Sequence, residues 1–425
     1  MKNTLIHSLT FPPDTISTGM IVSEIADGMN SQHRNIEVLA SSPQYNLKSA
    51  DSFIQNNKYI KSEVYKDIKV HYIKSSPRQF VNSLRFLQWL IFNFKSMIFI
   101  FKNRRNYDNV LIFSYPPTMN LVCIFTSKIL KINTIYSLWE LYPEIAERLN
   151  EQPGKILNKI FKSIDNYSLK SVSKVVVNSE QLKSYLIKER KITAEKIHTI
   201  HHFSPYGKSD SQPSYELNKI FYAGNTGRPQ NVDSFLRFFN EHFPNSWEFQ
   251  LYGAGQEFES LSNYSNGNIL INNYLPRDQL ELATKEIPFA LVCLDYEITI
   301  EGFPGKTFDY LNMNKILVNF SNPQSAVSEL INKYGLGFNI DVNAPEDVIT
   351  KLEQMKKPEK IKTILENIKN FQNNISNKEI VYKKYITLIS TSSWKNWNNC
   401  FKDNKQIIIK RFLLNIFNIP IESLL

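Results

Sequence analysis

The chain is poor in the residues that staple a fold or loosen it. Its 425 residues include three cysteines, 13 glycines and 19 prolines. Cys123, Cys293 and Cys400 stand far apart in apolar or mixed runs, so neither a disulfide framework nor a C-x-x-C metal pair can be drawn. A reducing compartment and no thiolate zinc site are expected. Glycine and proline at this level exclude collagen and low-complexity disorder. Neither a P-loop nor a G-x-S-x-G elbow occurs, which removes support for NTP hydrolysis and covalent serine catalysis. The opening MKNTLIHSLTFPP is broken by His7 and a proline pair. It reads as no signal peptide, and the expected location is the cytoplasm.

What is present is ordinary globular material. Hydrophobic residues make up 42% and charged residues 21%, and the length suits two or three domains. Lys+Arg 50 against Asp+Glu 40 leaves a net charge of +10, a balance suited to a nucleotide, a nucleic acid or an acidic membrane surface. The basic residues are interleaved with acidic ones and form no nucleic-acid motif, so nucleic acid is the least expected of the three.

Short β-branched runs alternate with helical periods: TLIHSL, NIEVLA, IKVHYI, NVLIFS, NTIYSL, KVVVNS and KIHTIHH. After the polar stretch SPYGKSDSQPSYELN the pattern restarts with KIFYAGN, WEFQLYG, ILINNYL, FALVCLD, KILVNF and GLGFNI. Strands interleaved with amphipathic helices imply parallel sheets of βαβ units. The expected division is 1–205, 206–385 and a helical segment 386–425, with a cleft between two α/β domains of similar size. In open parallel sheets ligands gather beyond the carboxyl ends of the strands.

Four segments at such strand ends carry chemistry. DYEITIEGFPGKTFDYLNMNK, from Asp295 to Lys315, reads as a Gly/Pro-containing loop opening a helix. Free backbone N–H groups and Lys306 there favour phosphate oxygens, and Glu301 and Asp309 flank the loop with carboxylates suited to sugar hydroxyls. YAGNTGRPQN supplies Gly224, Gly227 and Arg228, glycines for close backbone approach and a guanidinium for a diphosphate. FPPDTISTGMIVSEIADGM sets Gly19 before a helix, either facing a ligand or relieving a turn. WELYPE brings Glu140 and Glu144 to a strand end, Glu144 being equally a first-turn residue after Pro143. His198, His201 and His202 cluster without an acidic partner at metal spacing, so a structural role is preferred over metal ligation.

In this order the four segments resemble retaining nucleotide-sugar glycosyltransferases of the GT-B fold, in the large group marked by an E-x7-E signature. Within it they are similar to transferases of capsule, O-antigen and colanic-acid assembly, including fucosamine-type enzymes. The likeness runs from residue 1 to about 385. It implies two Rossmann-like parallel-sheet domains facing a deep cleft, with a C-terminal helix packing back on the acceptor-binding N-terminal domain. The implied catalytic residues are Glu140, Arg228, Lys306 and Glu301. The implied donor site is Gly19, Gly224, Gly227, Arg228, Gly255, Leu275, Pro304, Gly305, Lys306 and Asp309. Metal-independent transfer without a cofactor is expected, from a UDP-sugar to a polyprenyl-diphosphate-linked or other saccharide. The chain departs from the pattern at four places. Asp309 replaces the second Glu, Glu140 stands where relatives commonly have Asp, Gly19 is single where many have two glycines, and Ser234 stands near an expected lysine.

Two further stretches bear on location. In Phe80 to Phe101, Arg85, Gln88 and Lys95 stand off the stripe that Leu, Phe and Ile make at helical spacing. That pattern predicts either an aromatic amphipathic helix at a membrane surface or a helix buried under a domain. Trp394 to Leu425 is basic and apolar, suiting an interface or a last helix packed on the body. Peripheral attachment to the inner face of the plasma membrane is the expectation. Competing readings are a sugar-nucleotide 2-epimerase of the same fold and an inactive partner of a glycosyltransferase.

Overall fold

The computed structural model describes residues 3–33, 35–45, 60–76, 82–150, 154–208, 216–300 and 302–391. The first sheet contains β1 (Thr4–His7), β2 (Ile36–Ser41), β3 (Ile60–Tyr65), β4 (Ile68–Ile73), β5 (Asn109–Phe113), β6 (Asn133–Leu138), β7 (Lys174–Val177) and β8 (Ile197–Thr199), in the order β3-β4-β2-β1-β5-β6-β7-β8. All its neighbours are parallel except β3 and β4, an antiparallel hairpin pairing Tyr65 with Ile68. The second sheet contains β9 (Lys219–Asn225), β10 (Glu248–Ala254), β11 (Ile269–Asn273), β12 (Phe289–Cys293), β13 (Ile316–Phe320) and β14 (Gly337–Asn339). Its order is β11-β10-β9-β12-β13-β14, all parallel.

Every residue of β5, β6, β12 and β13 is buried. Helices cover both faces of each sheet, so burial along these strands is continuous rather than alternating, Asn109, Asn133, Thr134, Ser137 and Asn319 included. Counted from β9, the second sheet has the doubly wound order 3-2-1-4-5-6, whose direction switches between β9 and β12. In the first sheet the switch lies between β1 and β5. Loops leaving the two strands at a switch point part to opposite faces and open a crevice. The glycine-bearing segments at the ends of β9 and β12 therefore lie at the second sheet's switch point, and the loop after β1 lies at the first's; Gly19 stands beyond that loop, in the helix that follows it rather than before it.

Helices α1 (Ser17–His33) and α2 (Asn82–Lys102) lie on opposite faces of the first sheet. The short α3 (Glu144–Arg148) and longer α4 (Lys155–Ser171) follow β6, and α5 (Lys306–Asn312) follows β12. The last described helix, α6 (Lys378–Thr391), returns to the first domain and packs on α1. There Tyr382 rests on Gly28, where a Cβ would fall 2.0 Å from the ring. Tyr385 Oη and Ser137 Oγ lie 2.9 Å apart. The stretch Trp394 to Leu425 lies outside the described residues.

The structure corrects the reading of α2. Gln88, assigned to the polar side, is buried and donates to Gln44 Oε1 at 2.9 Å, while Asn93 and Ser96 are buried beside Phe92, Met97 and Ile100. Leu84, Leu87, Ile91, Phe94 and Ile98 form the exposed face. By length and composition Ser83–Lys102 could cross a membrane, but its inner side belongs to the first domain's core.

Candidate donor site in the interdomain cleft

Among the contacts between the two domains, three elements frame the cleft, while Gln181 Nε2 donates to the Ser325 carbonyl at 3.4 Å elsewhere along the seam. In α3, Ile145 and the following Leu149 belong to the first domain by sequence, yet both are buried in the core of the second. An ion cluster holds α3 in place. Arg190 donates to Glu144 Oε1 (3.0 Å, from Nε) and Oε2 (2.9 Å, from Nη2), and lies 3.2 Å from Asp165. Tyr185 Oη also donates to Glu144 at 3.0 Å. Arg190 is committed mainly to Glu144, whose carboxyl falls below the usual range despite desolvation. Asp165 has only the longer contact, and burial pushes its carboxyl up to about 7. Glu144 is thus occupied inside the protein rather than offered to a ligand.

The second element is the connecting segment. His202 packs edge-on against Trp139 (4.6 Å) on one side and Phe308 of α5 (5.9 Å) on the other. Burial drives the imidazole pKa down to about 3, so it acts as a neutral ring. Asn178 Nδ2 donates to the Trp139 carbonyl at 3.1 Å, and His201 Nδ1 donates to that of Asn178 at 2.9 Å. These contacts give His201 and His202 structural roles. Among the described residues no group of three His, Cys, Asp or Glu could hold a metal ion.

The third element is the approach of α1 to α5. A Cβ on Gly305, just before α5, would lie 2.7 Å from Ser17 Oγ at the start of α1. Gly19, expected before this helix, lies in its first turn, where a Cβ would meet the Asp14 carbonyl of the preceding loop at 3.3 Å. Asp14 accepts from the backbone N–H groups of Gln44 and Tyr45 at 2.8 and 2.9 Å, tying that loop to β2.

Within this crevice Lys306 reaches from α5 to the carboxyl end of β9. Its Nζ lies 3.5 Å from the Tyr222 ring centroid and 3.4 Å from where a Cβ of Gly224 would sit. Gly224 has φ +122°, so the position both requires a residue tolerant of that backbone and leaves the lysine room. The ammonium is buried without a hydrogen-bond partner. Desolvation lowers its pKa to about 7, with Cys293 and Asp309 opposing. The buried hydroxyls of Thr226 and Thr307 also lack partners. A cation and two hydroxyls buried unpaired are costly unless a ligand completes them.

The other residues selected from the sequence stand as follows. Gly255 (φ +143°) brings the end of β10 against Asn225 and Thr226. Gly227 precedes the turn carrying the exposed Arg228, and Gln230 Oε1 accepts from the Gly227 N–H at 3.2 Å. The Pro304 carbonyl accepts from Thr307 N–H at 3.1 Å, closing the turn into α5. Leu275 packs on the second core at the loop before Arg277. Asp309 Oδ1 accepts from Ser204 Oγ at 2.7 Å, and burial raises its carboxyl against the influence of Ser204, Arg277 and Lys306. Glu140 keeps solvent access, but crowding by protein raises its carboxyl. Glu301 lies outside the described residues.

Sequence reasoning missed Tyr222, Ser204, Ser17, Thr226 and Thr307. Of these only Thr307 had a local signal, its place beside Lys306 at the opening of a helix.

Residues 21–203 match the family described as Glycosyltransferase Family 4. No curated protein sequence matches the chain. Three solved structures cover 92% of this chain, each over 100% of its own length. They are sucrose-phosphate synthase from Thermosynechococcus elongatus (11% identity, TM-score 0.68), Anabaena HepE in complex with UDP (12%, 0.63), and WaaG, a glycosyltransferase involved in lipopolysaccharide biosynthesis (10%, 0.60). At these identities the likeness is one of fold. The match on residues 21–203 and the two parallel-sheet domains together give the chain the fold of GT-B glycosyltransferase structures.

Proposed function

We propose that the chain transfers an N-acetylated or deoxy amino sugar from a UDP-sugar to a lipid-linked saccharide in surface-polysaccharide assembly, with retention of anomeric configuration. The observation that carries the donor half is the buried, unpartnered ammonium of Lys306 at the switch point of the second sheet. Breaking the glycosidic bond builds negative charge on the leaving diphosphate. An amine already desolvated and fixed between Tyr222 and Gly224 becomes fully protonated beside the diphosphate and meets that charge without moving, the electrostatic source of rate acceleration. Arg228, exposed on the neighbouring loop, serves the same diphosphate. Backbone N–H groups near Gly19 and Gly305 complete its surroundings from the two domains.

Asp309, anchored by Ser204, offers its remaining acceptor capacity to the nucleotide ribose. Glu301 serves the donor sugar. Glu140, with its raised carboxyl, binds the acceptor hydroxyl, while the donor phosphate takes the proton. The protein supplies cations for this chemistry without a divalent ion. UDP as the nucleotide is supported by Anabaena HepE, a similar structure in complex with UDP and with UDP-glucose. The saccharide class, the lipid-linked acceptor, retention and action at the cytoplasmic side of the plasma membrane rest on the resemblance to capsule and O-antigen transferases.

The test is thermal denaturation of the purified protein with UDP, GDP, dTDP, ADP and CMP, because a ligand that binds only the native state raises the midpoint by mass action. A rise with UDP that is lost in Lys306→Met is expected. No rise with any of the five would overturn the donor assignment.

A further inference from the structure

The exposed face of α2 is unusual for a soluble surface. Leu84, Leu87, Ile91, Phe94 and Ile98 recur at spacings of three and four, and each is between 41 and 58% exposed. This is one continuous stripe along a helix of 21 residues, roughly 30 Å long. It does not end at α2. Phe86 packs edge-on against Phe161 of α4 at 5.8 Å, and the first two turns of α4 add Ile156, Leu157 and Ile160, between 46 and 78% exposed. Two helices from different parts of the chain thus present one apolar surface. A contiguous patch of this kind marks an interaction site rather than scattered surface leucines.

The charges beside the stripe identify the partner. In α2, Arg85, Lys95 and Lys102 are basic and no residue is acidic. In α4, Lys155 and Lys159 are exposed beside the apolar turns, and the helix's acidic residue, Asp165, is buried against Arg190. Ile91, Phe94 and Ile98 also wall a groove of about 800 Å³ whose lining includes Lys95 and Lys102. An apolar face bordered by cations matches an anionic bilayer, whose acyl region takes the first and whose headgroups take the second.

Two other occupants fit less well. A second copy of the chain would bring two cationic rims together. The chain beyond Thr391 departs from α6, which packs with α1 on the opposite face of the first sheet from α2 and α4.

We infer that α2 and α4 form a membrane-docking platform that holds the first domain flat on an anionic leaflet. The inference rests on the reading of a lipid-linked acceptor, and extends it by assigning the surface and recruiting α4. The cleft then works at a fixed orientation to the membrane.

Flotation of the full chain tests this, using vesicles of phosphatidylcholine alone and with roughly one-third phosphatidylglycerol. Floating with the anionic vesicles is expected, with at least a tenfold loss of bound protein in Leu87→Glu/Phe94→Glu/Ile160→Glu. A smaller loss is expected in Lys155→Gln/Lys159→Gln. All five sites are exposed, and an unchanged melting midpoint identifies folded variants. Failure of the native protein to float would overturn the inference. So would undiminished floating of the triple variant, which would put binding elsewhere, residues 392–425 included. A dimer in sedimentation velocity that the triple variant abolishes, without vesicle binding, would assign the face to a second copy. The UDP-induced midpoint shift is read separately, so loss of the donor reading and loss of the platform remain distinguishable.

Discussion

Lys306 carries the clearest residue-scale consequence. In the unfolded chain its ammonium titrates near the ordinary lysine value, whereas burial holds it near 7 in the fold. The unfolded state therefore binds more protons between about pH 7 and 10.5, and stability rises with pH across that window. Below pH 7 the full cost is present. Melting midpoints of the ligand-free protein are expected to climb from pH 7 upward for this reason, and Lys306→Met to remove that part of the climb. A bound diphosphate restores the charge, so binding at pH 8 takes up a proton and weakens as pH rises further. Calorimetric titrations in buffers of different ionisation enthalpy measure that uptake, and equal heats in all buffers would count against a phosphate on Lys306. Removing Lys306 or Arg228 by alanine substitution is expected to cost about 2 to 4 kcal/mol of transition-state stabilisation, read from kcat/KM.

Asp165 behaves in the opposite sense. Its carboxyl, raised to about 7 by burial, withdraws stability as pH rises from the ordinary aspartate value toward 7. In Asp165→Asn this decline is expected to vanish, so that the midpoint gap between variant and native protein widens from pH 4 to 7. A constant gap would mean that Arg190 pairs Asp165 as fully as Glu144.

At the scale of elements, α1 and α6 cross where Gly28 meets Tyr382. Even a methyl group there would enter the ring, so Gly28→Ala is expected to cost about 1 to 3 kcal/mol by overpacking. In the Tyr382→Ala background the added penalty should nearly disappear, and chemical denaturation of the two single variants and the double variant measures that coupling. The same scale explains what could be read in advance. Strands such as β5, β6, β12 and β13 were legible because burial on both faces leaves uncharged runs rich in Val, Ile, Leu, Phe and Tyr. β3 was not. Its partly exposed residues alternate, and its two-residue turn uses Lys66 and Asp67 at φ +46° and +63°, conformations usually signalled by Asn or Gly. The burial of α2 was misread because both its sides carry large apolar groups. Gln88 Nε2 donates inward to Gln44, a partner that helical periodicity does not reveal. The segments after β9 and β12 were legible as candidate phosphate sites from glycine, arginine and lysine, whereas the contacts of Ser204 and Tyr222 are ones that only the fold creates.

At the scale of the molecule, the acidic WELYPE segment does two things at once. It ends β6 beside the cleft, and through α3 it drives Ile145 into the core of the second domain. Domains joined only by a flexible linker would melt independently. This pair is also joined by the ring column Trp139–His202–Phe308, the Ser204–Asp309 hydrogen bond and the return of α6. A single calorimetric transition is therefore expected for the native chain. Ile145→Ala removes buried apolar volume worth about 2 to 5 kcal/mol, and all of that loss falls on the coupling between domains. The expected result is two resolved transitions, with the donor-binding domain still raised in midpoint by UDP through Lys306 and Arg228. One transition merely shifted downward would instead show that the column and α6 suffice to couple the domains. In that case Glu144 and Arg190 would serve chiefly to shape the loop that carries Glu140.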